Sequence, residues 1–224
     1  MTGIALFHSE LIRRLRILLL PVAVTSLLLG GCATHVEVQG TFPQAITQQY
    51  PFSVTLVFND DFRQYRFENL EPREVSVAVG NSQMQLFQIV SNSLFKSTDI
   101  THTMPTSISS DLVLVPSVDN VQIAMPYETQ LKVFEVWIKY KFELYDKNGD
   151  LIAAWMMPAY GKTPTRFLKS ESDALNQAAI MTLRDAGANF ITKFEKVPRV
   201  KAWIANQNRQ TPKTPDAKRD SAEL

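Results

Sequence analysis

Cysteine and histidine are scarce in this 224-residue chain, which holds one cysteine, Cys32, and three histidines. A single cysteine can form neither an intrachain disulfide nor a cysteine-based zinc site. No G-x-S-x-G motif or Ser/His/Asp spacing accompanies the histidines. His35 is close to the N-terminus, and His102 is interpreted as a solvated strand end. The sequence therefore predicts no catalytic residues, no metal site and no cofactor.

An excess of charge of one sign is also missing. The chain has 23 basic and 22 acidic residues, and residues 1–31 hold three of the arginines and one of the glutamates, so 20 basic and 21 acidic residues would remain without them. A nucleic-acid-binding domain would carry a clustered basic face. With 45% hydrophobic residues, the chain is too apolar to be disordered. We expect one globular domain that does not bind nucleic acid.

A hydrophobic run long enough to cross a bilayer is absent from the N-terminal segment. Three arginines between residues 13 and 16 precede an apolar run over residues 17–29. A transmembrane helix needs roughly 20 apolar residues. A basic segment, a short apolar run and small residues are the pattern of a cleaved signal sequence. Residues 1–31 are therefore predicted to be a signal peptide.

The end of this segment, Leu29-Gly30-Gly31-Cys32, resembles the bacterial lipobox. The resemblance implies that Cys32 receives a diacylglyceryl group, that the chain is then cleaved before it, and that the mature lipoprotein carries three acyl chains such as palmitate. Two or three acyl chains hold a protein durably on a bilayer. Ala33, rather than aspartate, implies an outer-membrane lipoprotein that faces the periplasm. An ordinary signal peptide and a buried apolar helix remain the alternatives.

Hydrophobic periodicity predicts an α+β fold, a mainly antiparallel sheet with a long hairpin and two amphipathic helices packed on one face. The hairpin joins a strand over 134–144 to one over 151–157. The helices are expected to begin at Asn81 or Ser82 and at Ser170 or Ser172. The remaining strands are predicted over 53–58, 63–68, 74–79, 98–102 and 111–123, the second as hairpin partner of the first. Residues 32–49 are interpreted as a tether, 50–205 as the domain and 206–224 as a disordered polar tail.

The segment Asp146-Lys147-Asn148-Gly149-Asp150 could suggest a calcium loop. Such a loop needs glycine at position six and glutamate at position twelve, whereas here glycine is fourth and Met157 is twelfth. A hairpin turn is the favoured interpretation.

Five features follow one another in this chain. They are a lipobox, a helix after Gly80, a D-L-V-L-V strand, the segment F-E-V-W-I-K-Y-K-F-E-L-Y-D-K-N-G and a terminal helix. This order resembles YajG-like periplasmic lipoproteins, and the lipopolysaccharide-assembly lipoprotein LptE shares the general plan. The resemblance covers about residues 50–205. It implies an accessory or assembly role and no active-site residues.

Aromatic side chains supply the candidate contact residues, which are Trp137 and Trp155 on the hairpin and Tyr160, Arg166 and Phe167 in a loop predicted over 158–169. If both hairpin faces are covered, the tryptophans belong to the core. If one face is open, they form a contact surface. The leading hypothesis is a non-enzymatic accessory protein that is anchored in the membrane and binds another envelope component. One alternative is a lipid or lipopolysaccharide carrier in which the aromatic hairpin face lines a groove under the helices. The least favoured alternative is a hydrolase that depends on His102.

Overall fold

The fold is seen in a computed structural model that describes residues 33–71, 73–165 and 170–210. The predicted signal peptide with Leu29, Gly30 and Gly31, the predicted lipidation site Cys32, and the candidate contact residues Arg166 and Phe167 lie outside these ranges. Residues 211–224 of the predicted tail lie outside them as well.

Strands and helices alternate irregularly along the described chain. The strands are β1 (Thr34–Glu37), β2 (Tyr50–Val57), β3 (Arg66–Asn69), β4 (Val75–Ala78), β5 (Phe95–Thr101), β6 (Leu112–Ala124), β7 (Val133–Asp146) and β8 (Leu151–Pro164). The helices are α1 (Asp60–Arg63), α2 (Gly80–Leu94), α3 (Glu171–Lys193) and α4 (Pro198–Gln210), with a 3₁₀ turn at Phe194–Lys196.

The main sheet has five strands in the order β5-β2-β6-β7-β8. Its two longest ladders, β6 with β7 and β7 with β8, are antiparallel, whereas β2 runs parallel to β5 and to β6. The long helices α2 and α3 pack together on one face, as the sequence predicted. The α+β class is thus confirmed, and the parallel pairs make the sheet mixed.

A second, three-stranded sheet in the order β1-β4-β3 corrects two predictions. β3 pairs with β4 and not with β2. Asn59 caps the short helix α1, its side chain accepting a hydrogen bond from the Phe62 N–H, and this helix separates β2 from β3. The predicted tether contains β1, which pairs with β4 and begins only two residues after Cys32.

The β7–β8 hairpin has the alternation that its sequence predicted. The even-numbered residues from Phe134 to Leu144 are buried. Gly149 has a φ of 85° in the turn, and an Asp146 carboxylate oxygen accepts hydrogen bonds from the backbone N–H groups of Asn148 and Asp150. Because this carboxylate oxygen accepts hydrogen bonds from backbone groups of its own turn, the segment forms a hairpin turn.

The helix ends follow the predicted capping only in part. Ser170 caps α3 by accepting a hydrogen bond from the Asp173 N–H. α2 begins at Gly80, and Ser82 does not cap it, because its hydroxyl donates to the Val38 carbonyl at 2.5 Å. α4 continues to Gln210, so the described structure extends beyond residue 205, where the sequence predicted a tail.

Helix α3 lies directly on strand β8 at Gly161. A Cβ atom there would overlap the Ala178 carbonyl oxygen and the Thr182 backbone nitrogen. The Thr182 hydroxyl hydrogen-bonds to the Val136 carbonyl of β7 at 3.0 Å. The missing side chain of Gly161 therefore sets the distance between helix and sheet.

Candidate functional site

The two faces of the hairpin have different surroundings. On the side of α2 and α3, Phe142 is buried in an aromatic cluster with Phe87 and Phe190. The opposite side carries the odd-numbered residues of β7 from Glu135 to Tyr145 and the even-numbered residues of β8 from Ala154 to Pro164, and these are exposed or half-buried. We call this opposite side the outer hairpin face.

Trp137 and Tyr160 form a ring pair on the outer hairpin face. They are directly opposed in the β7–β8 register, their ring centroids are 5.1 Å apart, and their side chains are 36% and 37% exposed. The Tyr160 hydroxyl donates to a Glu135 carboxylate oxygen at 2.7 Å. Local desolvation, followed by this hydrogen bond and the glutamate charge, raises the pKa of Tyr160 to about 12. The ring pair is therefore held in a fixed orientation at the surface.

Met156 extends the same surface and was missed by the sequence analysis. It is 46% exposed, and it lies opposite Lys141 in the ladder. Lys141 forms an ion pair with Glu143 at 2.8 Å, and Lys139 forms one with Asp119 at 2.9 Å. The signal that could have identified Met156 is its spacing, since it is an even-numbered residue of β8, as Tyr160 is.

Trp155, by contrast, is on the helix side of the hairpin. Its ring stacks on Phe142 at 5.3 Å and also approaches Phe190 and Phe194. Met157, on the same face of β8, is buried. The sequence left open whether the hairpin tryptophans belong to the core or to the surface. Trp155 and Met157 belong to the core, and Trp137 is on the surface.

The structure brings together only part of the predicted contact set. Trp137 and Tyr160 are neighbours, Trp155 is on the other face, and Arg166 and Phe167 lie outside the described residues. The prediction that Tyr160 belongs to a loop is wrong, because β8 continues to Pro164.

The free edge of β8 is protected near the ring pair. Its outward-pointing N–H at Tyr160 donates to the Asp185 carboxylate of α3 at 3.0 Å. Pro158 and Pro164 have no N–H at two other outward positions of the strand, whereas Lys162, between Tyr160 and Pro164, keeps its N–H. Proline and side-chain caps block the addition of another strand. A partner would therefore contact the face of the hairpin rather than its edge near Tyr160.

Cavities lie beside α4, at the end of the domain that carries the hairpin turn. One of about 790 Å³ is bounded by Tyr50, Glu195, Lys196 and Lys201 among others, and one of about 490 Å³ by Asp111, Trp203 and Asn208 among others. Tyr50 lines the first cavity, and its hydroxyl donates to the Glu195 carboxylate at 3.0 Å. Burial, together with this carboxylate, raises the pKa of Tyr50 to about 12. The larger cavity is lined mainly by polar and charged side chains.

His35 and His102 are both exposed. Within residues 33–71, 73–165 and 170–210, no three side chains of histidine, cysteine, aspartate or glutamate are grouped closely enough to hold a metal ion. In the same ranges, no helix combines the length and the apolar character needed to span a bilayer.

No protein-family model matches the chain, and no curated protein matches it. Among solved structures it resembles protein XCC0632 from Xanthomonas campestris, described under the family-model name DUF330, with a TM-score of 0.52 and 11% identity over 80% of this chain and 100% of the other. This likeness shows the fold alone.

Other similar solved structures include bacterial lipoproteins. They include a minor lipoprotein from Acinetobacter baumannii, with a TM-score of 0.40 and 8% identity over 71% of this chain and 96% of the other. Lipoprotein GNA1162 from Neisseria meningitidis has a TM-score of 0.30 and 12% identity over 72% and 100%. At TM-scores below 0.5, these two carry no inference about this chain. None of the three descriptions names a YajG-like or LptE-like protein, so that resemblance stays a prediction.

Proposed function

We propose that this chain is a non-catalytic accessory lipoprotein of the cell envelope, anchored through Cys32 to the outer membrane, which binds another envelope protein through the outer hairpin face. The observation that carries the proposal is the exposed Trp137–Tyr160 ring pair on the uncovered side of the longest hairpin. The lipobox resemblance supports the anchor.

The chemistry of the outer hairpin face favours a protein partner. Aromatic and methionine side chains are enriched at protein interfaces, and binding energy concentrates on a few aromatic residues. Trp137, Tyr160 and Met156 supply such residues, and the ion pairs of Lys139 and Lys141 supply a polar rim. Because Tyr160 is held by Glu135, little side-chain entropy would be lost on binding.

Lipid or lipopolysaccharide carriage is less well supported. A carrier of that kind would need an apolar groove between the hairpin and the helices, but Phe142, Trp155 and Phe190 fill the space there. The large cavity beside α4 is lined mainly by polar and charged groups, which do not suit acyl chains.

In-cell photocrosslinking tests the proposed contact surface. A photoreactive phenylalanine analogue would be placed at Met156 on the outer hairpin face and, as a matched control, at Met181 on α3. These two methionines are 46% and 42% exposed. We expect a discrete protein adduct from position 156 and none from position 181. Equal adducts from both positions, or lipid adducts alone from position 156, would contradict the proposal.

The anchor has a separate test. The mature protein should carry acyl chains on Cys32 by mass spectrometry, and Cys32→Ser should accumulate as the uncleaved, unacylated precursor. Normal processing of the variant, or a bare Cys32 in the native protein, would rule out the lipid anchor.

A further inference from the structure

The folded domain begins almost directly at the predicted anchor. Thr34, two residues after Cys32, starts β1, and its N–H donates to the Glu74 carbonyl at 2.9 Å. Consecutive Cα atoms are about 3.8 Å apart, so Cys32 lies within about 8 Å of Thr34. A protein held by acyl chains on Cys32 would therefore have this end of the domain at the bilayer surface.

The loop that joins β6 to β7 contacts the turn between β3 and β4 at the same end. Arg73, in the turn between β3 and β4, places its guanidinium 5.2 Å from the centroid of the Tyr127 ring. Tyr127 belongs to the loop over 125–132, which joins β6 to β7. Val133, just after that loop, pairs with Pro164 at the end of β8.

The hydrogen bonds of the segment after β1 confirm this orientation. The Gln39 N–H donates to Asn176 near the start of α3, and Arg184, two turns later in α3, donates to the Thr41 carbonyl. The segment after β1 thus runs along α3 from its start toward its end, and β1 itself contacts α3. We call this end, with Thr34, the turn residues Leu70 and Arg73, and the 125–132 loop, the anchor pole. The hairpin turn and α4 lie at the opposite end.

The anchor pole exposes large apolar side chains that the fold does not require. Leu70 and Leu131 are each 73% exposed, and Tyr127 is also exposed. The 125–132 loop is closed at its base, where the Thr129 hydroxyl hydrogen-bonds to both the N–H and the carbonyl of Val133. Leu131 is therefore presented on a constrained loop.

We propose that Leu70, Tyr127 and Leu131 insert into the head-group region of the bilayer that holds the acyl chains of Cys32. This inference rests on the proposed lipid anchor. The insertion would fix the orientation of the domain on the membrane. Aromatic side chains with a polar end favour the membrane interface, and leucines gain by leaving water. Glu71, Glu74 and Glu128 lie among these residues with Arg73 and Lys132. The contact is therefore apolar in character and does not depend on anionic lipids.

A fluorescent label on a new cysteine tests this orientation in the full-length, acylated protein. Acylation consumes the thiol of Cys32, the only cysteine, so Leu131→Cys would carry the only free thiol. Leu151→Cys is the matched control, because Leu151 is an exposed leucine at the opposite end of the domain. Each protein would be labelled with an environment-sensitive dye and incorporated into phosphatidylethanolamine–phosphatidylglycerol vesicles that contain a nitroxide lipid.

We expect the label at position 131 to shift to the blue and to be quenched several-fold more than the label at position 151, with the same result in phosphatidylcholine vesicles. Equal, water-like emission at both positions in vesicle-bound, acylated protein would overturn this inference and leave the anchor intact. Protein that lacks acyl chains by mass spectrometry and does not float with vesicles would overturn the anchor, and with it this inference. Flotation and mass spectrometry thus separate the two failures.

Discussion

The two faces of the β7–β8 hairpin each carry a pair of aromatic rings, and the pairs have different surroundings. Phe142 and Trp155 are 5.3 Å apart on the helix side, and Trp137 and Tyr160 are 5.1 Å apart on the outer side. Phe87 and Phe190 pack around the first pair, whereas the second pair is about a third exposed. Ring pairing alone therefore does not distinguish the core from the exposed surface. The layer above the rings does.

This difference predicts that stability and binding can be separated by mutation. Removing a ring from the helix side leaves a cavity, whereas removing one from the outer side leaves solvent. If the two faces had the same role, equivalent substitutions would have similar effects on both properties.

Phe142→Ala should have the largest effect on stability. The ring is fully buried and contacts Phe87, Trp155 and Phe190, so its loss should lower the free energy of unfolding by roughly 3–5 kcal/mol. Chemical denaturation followed by tryptophan fluorescence would measure the loss. Phe142→Leu retains most of the side-chain volume and should therefore recover much of the lost unfolding free energy. A loss below about 1 kcal/mol for the alanine variant would place this ring outside the core.

Gly161→Val should have the next largest effect. Its side chain would overlap backbone atoms of α3 at Ala178 and Thr182, which cannot move as a side chain can. We expect a loss of about 3 kcal/mol or failure to fold, because overpacking costs typically 1–3 kcal/mol even against side chains. Ala154→Val is the control, since Ala154 is exposed on the outer face of the same strand. Equal melting temperatures for the two variants would refute the close helix–sheet contact.

The face that each hairpin residue occupies was only partly predictable from the sequence. The alternation of β7 identifies its buried face, but the face of Trp155 depends on register. Near the turn, Tyr145 pairs with Leu151, whereas Leu144 pairs with Ala153 and Phe142 with Trp155. This one-residue bulge moves every later residue of β8 to the other face. Without the bulge, Trp155 would lie on the outer side.

Other elements depended on tertiary contacts that local patterns do not encode. β8 continues through Pro158 because that proline lies on an outward, unpaired position of an edge strand. β1 is four residues long and exists through its pairing with β4. α4 buries chiefly Val200 and Ile204 within a polar sequence, which explains why residues 206–210 were interpreted as a tail. Within the candidate site, the alternation of β7 predicted that Trp137 lies on its polar face, but the sequence predicted a loop at Tyr160 and did not predict the pairing of the two rings.

Tyr140→Phe should have an intermediate effect. The Tyr140 hydroxyl is buried and donates to the Gln83 side chain at 3.2 Å, and its removal should cost about 1–2 kcal/mol of unfolding free energy. Tyr145→Phe removes a partly exposed hydroxyl that donates to Glu143 and should cost less than about 0.5 kcal/mol. Thermal and chemical unfolding would compare the two variants, and a reversed order would contradict the assigned burial.

Trp137→Ala should reduce stability by less than about 1 kcal/mol, because the ring is already partly solvated. The same substitution should abolish the adduct formed from the photoreactive group at Met156. Combined measurement of unfolding and crosslinking would show both results. Retention of the adduct at wild-type yield would contradict the contact role of this tryptophan.

Glu135→Gln should leave stability at neutral pH almost unchanged and alter the ionisation of Tyr160. The pKa of Tyr160 is raised to about 12, first by desolvation and then by Glu135, so loss of the glutamate charge should lower it part of the way toward 10. A raised pKa in the folded state adds stability that is complete below pH 10 and is lost as the pH rises toward 12. In both proteins the loss begins near pH 10, the ordinary pKa of tyrosine, but in the variant it should be smaller and should end at a lower pH. Ultraviolet absorbance of tyrosinate would follow the change, and Tyr50, whose pKa is held at about 12 beside Glu195 at the other end of the domain, supplies an internal reference. An identical titration curve for wild type and variant would break the link between Tyr160 and Glu135, and with it the rigid ring pair on which the proposed contact surface depends.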